Sequence, residues 1–212
     1  AFAGYEVTRE YYVNDAGRQM DILTTSTWLR YLQLAGVAVP YPPNAYQGDY
    51  VQLMAQDILA QHGARMVRTV TAVMTNVPAL KEDASDKDKE TARDAHIDAL
   101  IANAKQLLGG DFRLIHAHAL KVQVDDMRAD LTEFGVDYDC WYSEQSLYDD
   151  GLLEQALGKL IAAGHTYEKD SALWFRATPF GDEKDRVLRR SNGQYTYFAP
   201  DIAYHASKFD RG

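Results

Sequence analysis

Gln194-Tyr195-Thr196-Tyr197-Phe198-Ala199-Pro200-Asp201-Ile202-Ala203-Tyr204-His205 is the stretch on which the fold turns. It follows Asn192-Gly193, a dipeptide suited to a tight turn. Tyr195 to Phe198 is aromatic and β-branched, which predicts a short strand. Pro200 lacks the N–H that a ladder needs and fits the start of a helix. Asp201 then falls in the first helical turn, where the helix dipole favours a carboxylate. On this reading Tyr197 ends a strand and Asp201 opens the helix after it. In an open α/β sheet, ligands bind at the carboxyl ends of strands, and a phenol beside a carboxylate there can grip a cation. The same residues also suit plainer roles, a core aromatic and a helix cap.

Working outward, the segments just before this stretch read as short strands, Thr166–Lys169, Ala172–Arg176 and Arg186–Arg189. Asp170-Ser171 supplies a turn between the first two. Leu152, Leu153, Ala156, Leu157, Leu160 and Ile161 make an amphipathic helix capped by Gly164, and Val136 to Ser143 reads as a return to the sheet. Towards the N-terminus, Glu6 to Val13 predicts a strand. Asn14-Asp15-Ala16-Gly17 breaks it, and apolar residues recur at helical spacing from Arg18 until Gly36. The Asn14–Gly17 turn is therefore a second strand-to-helix corner on the ligand side of a sheet.

The middle of the chain differs. Val39 to Tyr50 is a proline- and tyrosine-rich ordered loop. A helix follows over Val51–Gln61, and Met66–Leu80 is open between strand and helix. Lys81–Glu90 is a solvated charge run. Two stripes follow, Ile97 to Leu108 and Leu120 to Phe134, which predict an antiparallel helical hairpin. The expected organisation is thus an α/β part in two segments, 1–49 and 136–212, with a mainly helical insertion over 50–135.

Composition limits the function classes. The chain has 212 residues, 46% of them hydrophobic, enough for a real core. No apolar run is long enough to span a membrane, and no signal-peptide pattern is visible. The single cysteine, Cys140, rules out an internal disulfide. A net charge of −9 argues against a broad basic nucleic-acid surface, though a local patch around Arg186, Arg189 and Arg190 remains open. G-x-G-x-x-G and Walker A motifs are absent, and a zinc site is improbable with one cysteine. The chain starts without Met and stops directly after a helical pattern, as expected of a piece of something longer.

Five segments, in order, carry a resemblance: Tyr12-Val13-Asn14-Asp15-Ala16-Gly17-Arg18-Gln19, Tyr46-Gln47-Gly48-Asp49-Tyr50, Phe134 to Glu144 with its Ser143-Glu144 corner, Phe180-Gly181-Asp182-Glu183-Lys184-Asp185-Arg186-Val187, and Thr196-Tyr197 followed by Asp201-Ile202-Ala203-Tyr204. Together they resemble the bacterial-type arginyl-tRNA synthetases, class I aminoacyl-tRNA synthetases, across essentially the whole chain. The resemblance implies a Rossmann-like catalytic domain, truncated at both ends, from an enzyme that activates arginine with ATP and transfers it to tRNA(Arg). It implies that Tyr197 and Asp201 read the arginine guanidinium. It makes Asn14, Asp15, Gly17 and Gln19 a candidate active-site turn. ATP enters as substrate, with Mg in the full enzyme. No bound cofactor, metal or catalytic group is expected within these residues, because the family's His-x-Gly-His signature should precede Ala1 and its Lys-bearing loop should follow Gly212. The piece alone is expected to be inactive, monomeric, cytoplasmic and away from membranes. The alternative is a free-standing, non-catalytic binding module of the same fold.

Overall fold

The computed structural model describes residues 3–80 and 83–211; Lys81 and Glu82, at the start of the charge run, lie outside them, as do Ala1, Phe2 and Gly212. In chain order the elements are β1 (Glu10–Val13), α1 (Arg18–Leu34), α2 (Asp49–His62), α3 (Val70–Val73), α4 (Asp86–Leu108), α5 (Gly110–Glu133), β2 (Cys140–Ser143), α6 (Glu144–Asp149), α7 (Leu152–Ala162), β3 (Thr166–Lys169), β4 (Ala172–Phe175), β5 (Arg186–Arg189) and α8 (Phe198–Asp210). They divide into two compact units, Ala16–Asp137 and the pair of segments Ala1–Asp15 and Tyr138–Gly212.

The Ala16–Asp137 unit is helical. Its core centres on α1, where Trp28, Leu29, Tyr31 and Leu32 are fully buried. Burial obliges their polar atoms to find partners. Trp28 Nε1 donates to Met66 O at 3.0 Å, and the Tyr31 hydroxyl donates to Gly63 O while accepting from Met66 N. These bonds pin the ambiguous 66–80 segment, which is loop apart from the single turn α3, capped by Thr69 Oγ1 accepting from Ala72 N. Helices α4 and α5 meet at Gly109, whose φ of +54° suits glycine. The expected apolar stripe on the second helix is corrected. Burial falls on Phe112, Ile115 and Ala119, near the start of α5, whereas Phe134 is 84% exposed. The packing partners α1 and α2 set the buried face, and periodicity alone does not say where along a helix they lie.

The other unit holds two small sheets. β1 and β2 pair in parallel, Glu10 with Cys140 through Val13 with Ser143. The expected strand over Glu6–Val13 is shorter, because its four-residue partner can pair only Glu10–Val13. β3, β4 and β5 form a separate antiparallel sheet. The strands after Val136 are thus split between two sheets, where the sequence reading as an open α/β sheet implied one. Asp170 and Ser171 both have positive φ, as in a type I′ turn, and a two-residue turn can join only antiparallel neighbours. Leu147, Leu153, Leu157, Leu173 and Leu188 form the core under α6, α7 and α8.

The predicted strand Tyr195–Phe198 does not form. Tyr195 makes one isolated bridge to Arg189, and Thr196 N bonds Leu188 O. Tyr197 is then helical, with φ −54° and ψ −27°, and caps α8. Helical periodicity wins over local β-propensity here. Starting the helix at Phe198 buries Ala199, Pro200, Ala203, Tyr204 and Ser207 on one face. Pro200 sits in the first turn, where its missing N–H costs nothing.

Candidate functional site

Asp201 and Tyr197 stand at the N-terminal end of α8. Asp201 is exposed, and its carboxylate makes no ion pair or hydrogen bond among the described residues. Tyr197 is 73% exposed, its ring edge-on to Phe198 at 6.4 Å. Both side chains are therefore free to meet a ligand.

Asp15 behaves differently from an exposed ligand group. It is only 4% exposed. Its Oδ2 accepts from Ser143 Oγ at 2.6 Å and its Oδ1 from Gln145 N at 2.8 Å. Ser143 Oγ in turn accepts from Ser146 N. Asp15 thus ties the end of β1 to the start of α6, completing the cap that Ser143 makes. Asn14, beside it, is exposed.

Between these groups lies Glu144, which the sequence argument noted only as part of the Ser-Glu corner. Burial is the first cause that raises its carboxyl above the usual range; the like charges of Asp15 and Asp201 follow. The Tyr12 hydroxyl approaches without reaching hydrogen-bond geometry and opposes the rise. Tyr12 itself is raised, by burial first and then by Glu144, Asp201 and other neighbours. Tyr148 is raised by burial and by Glu144. Among the described residues Glu144, Asp15 and Asp201 form no ion pair, and phenols flank them.

The far end of α8 has the opposite character. Glu10 on β1 is 9% exposed and faces two cations, Arg211 at 2.7 Å and Lys208 at 3.5 Å. Tyr204 Oη donates to it at 2.5 Å. The Arg211 hydrogen bond holds the Glu10 carboxyl at about 2, well below the usual range, against the opposing effect of burial. Cys140, half-buried and free, has its thiol pushed up by burial and by Glu10.

Two of the candidate turn residues belong to the helical unit. Gly17 precedes α1 with φ +83° and ψ −171°, a conformation open essentially to glycine alone. Gln19 Oε1 accepts from Tyr46 Oη at 3.2 Å, and both line a cavity of about 430 Å³ with Arg18, Asn44 and Asp94. In the Gly181–Val187 segment, Asp182 takes a bidentate bond from Arg186 at 2.7 Å, and Asp185 accepts from Thr178 N and Oγ1 and from Tyr167 Oη. These residues stitch a loop together. Among the described residues no cluster of three His, Cys, Asp or Glu suits a metal ion.

Comparison with known proteins gives these segments a common context. No family model matches the chain. Over all 212 residues it is 57% identical to the arginine–tRNA ligase of Dechloromonas aromatica, and it is 57% identical to that of Azoarcus sp. over its full length. The Legionella pneumophila enzyme is 54% identical over 99% of the chain. The chain spans about a third of these curated relatives' length, 36%, 36% and 35% respectively. A solved Campylobacter jejuni protein assigned as an arginyl-tRNA synthetase covers 99% of the chain with 37% of its own, at 29% identity and a TM-score of 0.60. The chain is thus of the aminoacyl-tRNA synthetase class. Within that class it belongs to the arginine–tRNA ligase family, of which it represents one stretch.

Proposed function

We propose that these residues form part of a Rossmann-like, class I catalytic domain that activates arginine with ATP and transfers it to tRNA(Arg). In this reading residues 1–49 and 136–212 are the catalytic part and residues 50–135 are a helical insertion. The arginine carboxylate attacks the α-phosphate of ATP, forming arginyl-adenylate and releasing pyrophosphate. A hydroxyl of the terminal tRNA ribose then attacks the arginyl carbonyl, and AMP leaves. Most of such catalysis is positioning and electrostatic stabilisation.

The role assigned to this stretch is to read the arginine side chain. Asp201 accepts the guanidinium, and Tyr197 offers its hydroxyl or ring face. One observation carries this: Asp201 is an exposed carboxylate with no ion pair or hydrogen bond among the described residues, and its charge acts on the partly buried Glu144 together with that of Asp15. A guanidinium supplies a counter-charge and matches a carboxylate in two-pronged geometry, which an ammonium does not. Asp15, already bound to Ser143 and Gln145, holds the frame; Gly17 turns the chain into α1.

The test is Asp201→Ala in the full-length ligase. Losing the charge partner of a bound cation costs on the order of 2–5 kcal/mol. kcat/KM for arginine should fall at least thirtyfold while the KM for ATP changes little. Asp201→Asn should recover little, since it presents a donor where an acceptor is needed. Unchanged arginine kinetics would return Asp201 to the role of a helix-dipole residue.

A further inference from the structure

We propose that the outer face of the β3–β4–β5 sheet is a stacking platform for an unpaired RNA strand. The register puts Tyr167 opposite Trp174, and Trp174 opposite Val187. Side chains alternate between the faces of a strand. The inner face carries Leu173 and Leu188, both buried in the core. The outer face carries the two aromatic rings, 6.3 Å apart and within 17° of parallel. Arg176 lies over the Tyr167 ring at 4.8 Å. Alternation adds Lys169 to the same face, whereas Arg189 pairs with Leu173 and Tyr195 across the register shift between Leu173 and Trp174. Lys169 and Arg176 are both exposed and make no ion pair among the described residues. The carboxylate beside them, Asp185, is occupied by Thr178 and by the Tyr167 hydroxyl.

A cross-strand aromatic pair alone would be a device of sheet stability. Two cations beside that pair, Lys169 and Arg176, with no ion pair among the described residues, mark the face out in a chain of net charge −9. Flat rings take the faces of bases, and the cations take the phosphates that link them. Rings of this kind do not read base identity, so the platform would accept any unpaired sequence. The surface stands apart from the arginine reading of Asp201. Only the choice of RNA over DNA rests on the proposal that the chain is part of a tRNA ligase.

The experiment uses the 212-residue chain and a fluorescently labelled eight-nucleotide single-stranded RNA, followed by anisotropy at several salt concentrations. The competitors are DNA of the same sequence, an abasic oligonucleotide of equal length and an octaglutamate peptide. RNA should bind, and Trp174→Ala should weaken it roughly five- to a hundredfold. Trp174→Phe should keep most of the affinity, which separates stacking from loss of fold. Lys169→Gln and Arg176→Gln should each lower the salt slope by about 0.7. Asp201→Ala should leave RNA binding unchanged, so failure of the arginine proposal would not touch this one. No binding, equal binding of the abasic strand, or full competition by octaglutamate would overturn the platform; the last would assign the face to an acidic peptide instead.

Discussion

Replacing Glu10 by Gln should detach the C-terminal end of α8 from β1, and the size of the loss can be worked out. Glu10 is 9% exposed and its carboxyl is lowered from 4.5 to about 2, first by the Arg211 hydrogen bond. That drop corresponds to about 3 kcal/mol of interaction with the ionised form. Arg211 and Lys208 are 42% and 44% exposed, so solvent screening reduces the usable part to about 2 kcal/mol. A depressed carboxyl contributes its stability above the unfolded value of 4.5 and loses it as the pH falls towards 2. Urea unfolding of wild type and Glu10→Gln should therefore differ by about 2 kcal/mol at pH 7, by less at pH 3, and by almost nothing once the pH is below 2. Hydrogen exchange of amides 198–210 should accelerate at pH 7, because the defect lies at α8. A gap that stayed constant from pH 7 to pH 3 would mean that Glu10 acts through packing, and the charge argument would fail.

Three further outcomes are expected. Gly17→Ala should destabilise by about 1–3 kcal/mol from backbone conformation alone, since an added Cβ there meets nothing within 4 Å; equal Tm values for variant and wild type would refute it. Glu144 has a raised folded pKa, so its contribution is present below the unfolded value of 4.5 and lost as the pH rises through the folded one. Glu144→Gln should thus raise Tm at pH 7 but not at pH 4, and a Tm change equal at both would contradict the burial penalty. Finally, the 212 residues contain no glycine-rich phosphate loop and no His-x-Gly-His sequence. The 212-residue polypeptide should support no arginine-dependent ATP–pyrophosphate exchange, and robust exchange would sink that expectation.

The helices of the middle segment were legible because their apolar spacing and glycine stops are local signals. Gly36, Gly109 and Gly135 all end or join helices with positive φ, where the chain has to turn. The Asp170-Ser171 turn was equally plain, and two residues between strands allow only an antiparallel pair. Tyr195–Phe198 misled for the opposite reason. Its β-propensity is real, but the burial of Ala199 and Ala203 is decided by the core they meet. At the candidate site, the Tyr197 and Asp201 pair came from resemblance, and spacing alone would not have chosen it. Glu144 was hidden, because what distinguishes it is burial between Asp15 and Asp201, residues 129 positions before it and 57 after it in the sequence. Such proximity leaves no trace in local composition.

The parallel pairing of β1 with β2 joins residues 130 positions apart, Arg9 meeting Asp139 just ahead of the ladder. On the ribosome, the first strand emerges long before its partner exists. At about 5–20 residues per second it waits roughly 6–26 seconds before β2 can pair with it. Within that delay the intervening helices can assemble their own core, whose buried members run from Ile22 to Ile115. Their collapse shortens the free loop that β1 and β2 must close, and so lowers its entropic cost. The order of synthesis therefore makes the helical segment a folding chaperone encoded in cis, and a slow-folding variant within residues 16–137 should delay the β1–β2 sheet without altering one of its hydrogen bonds.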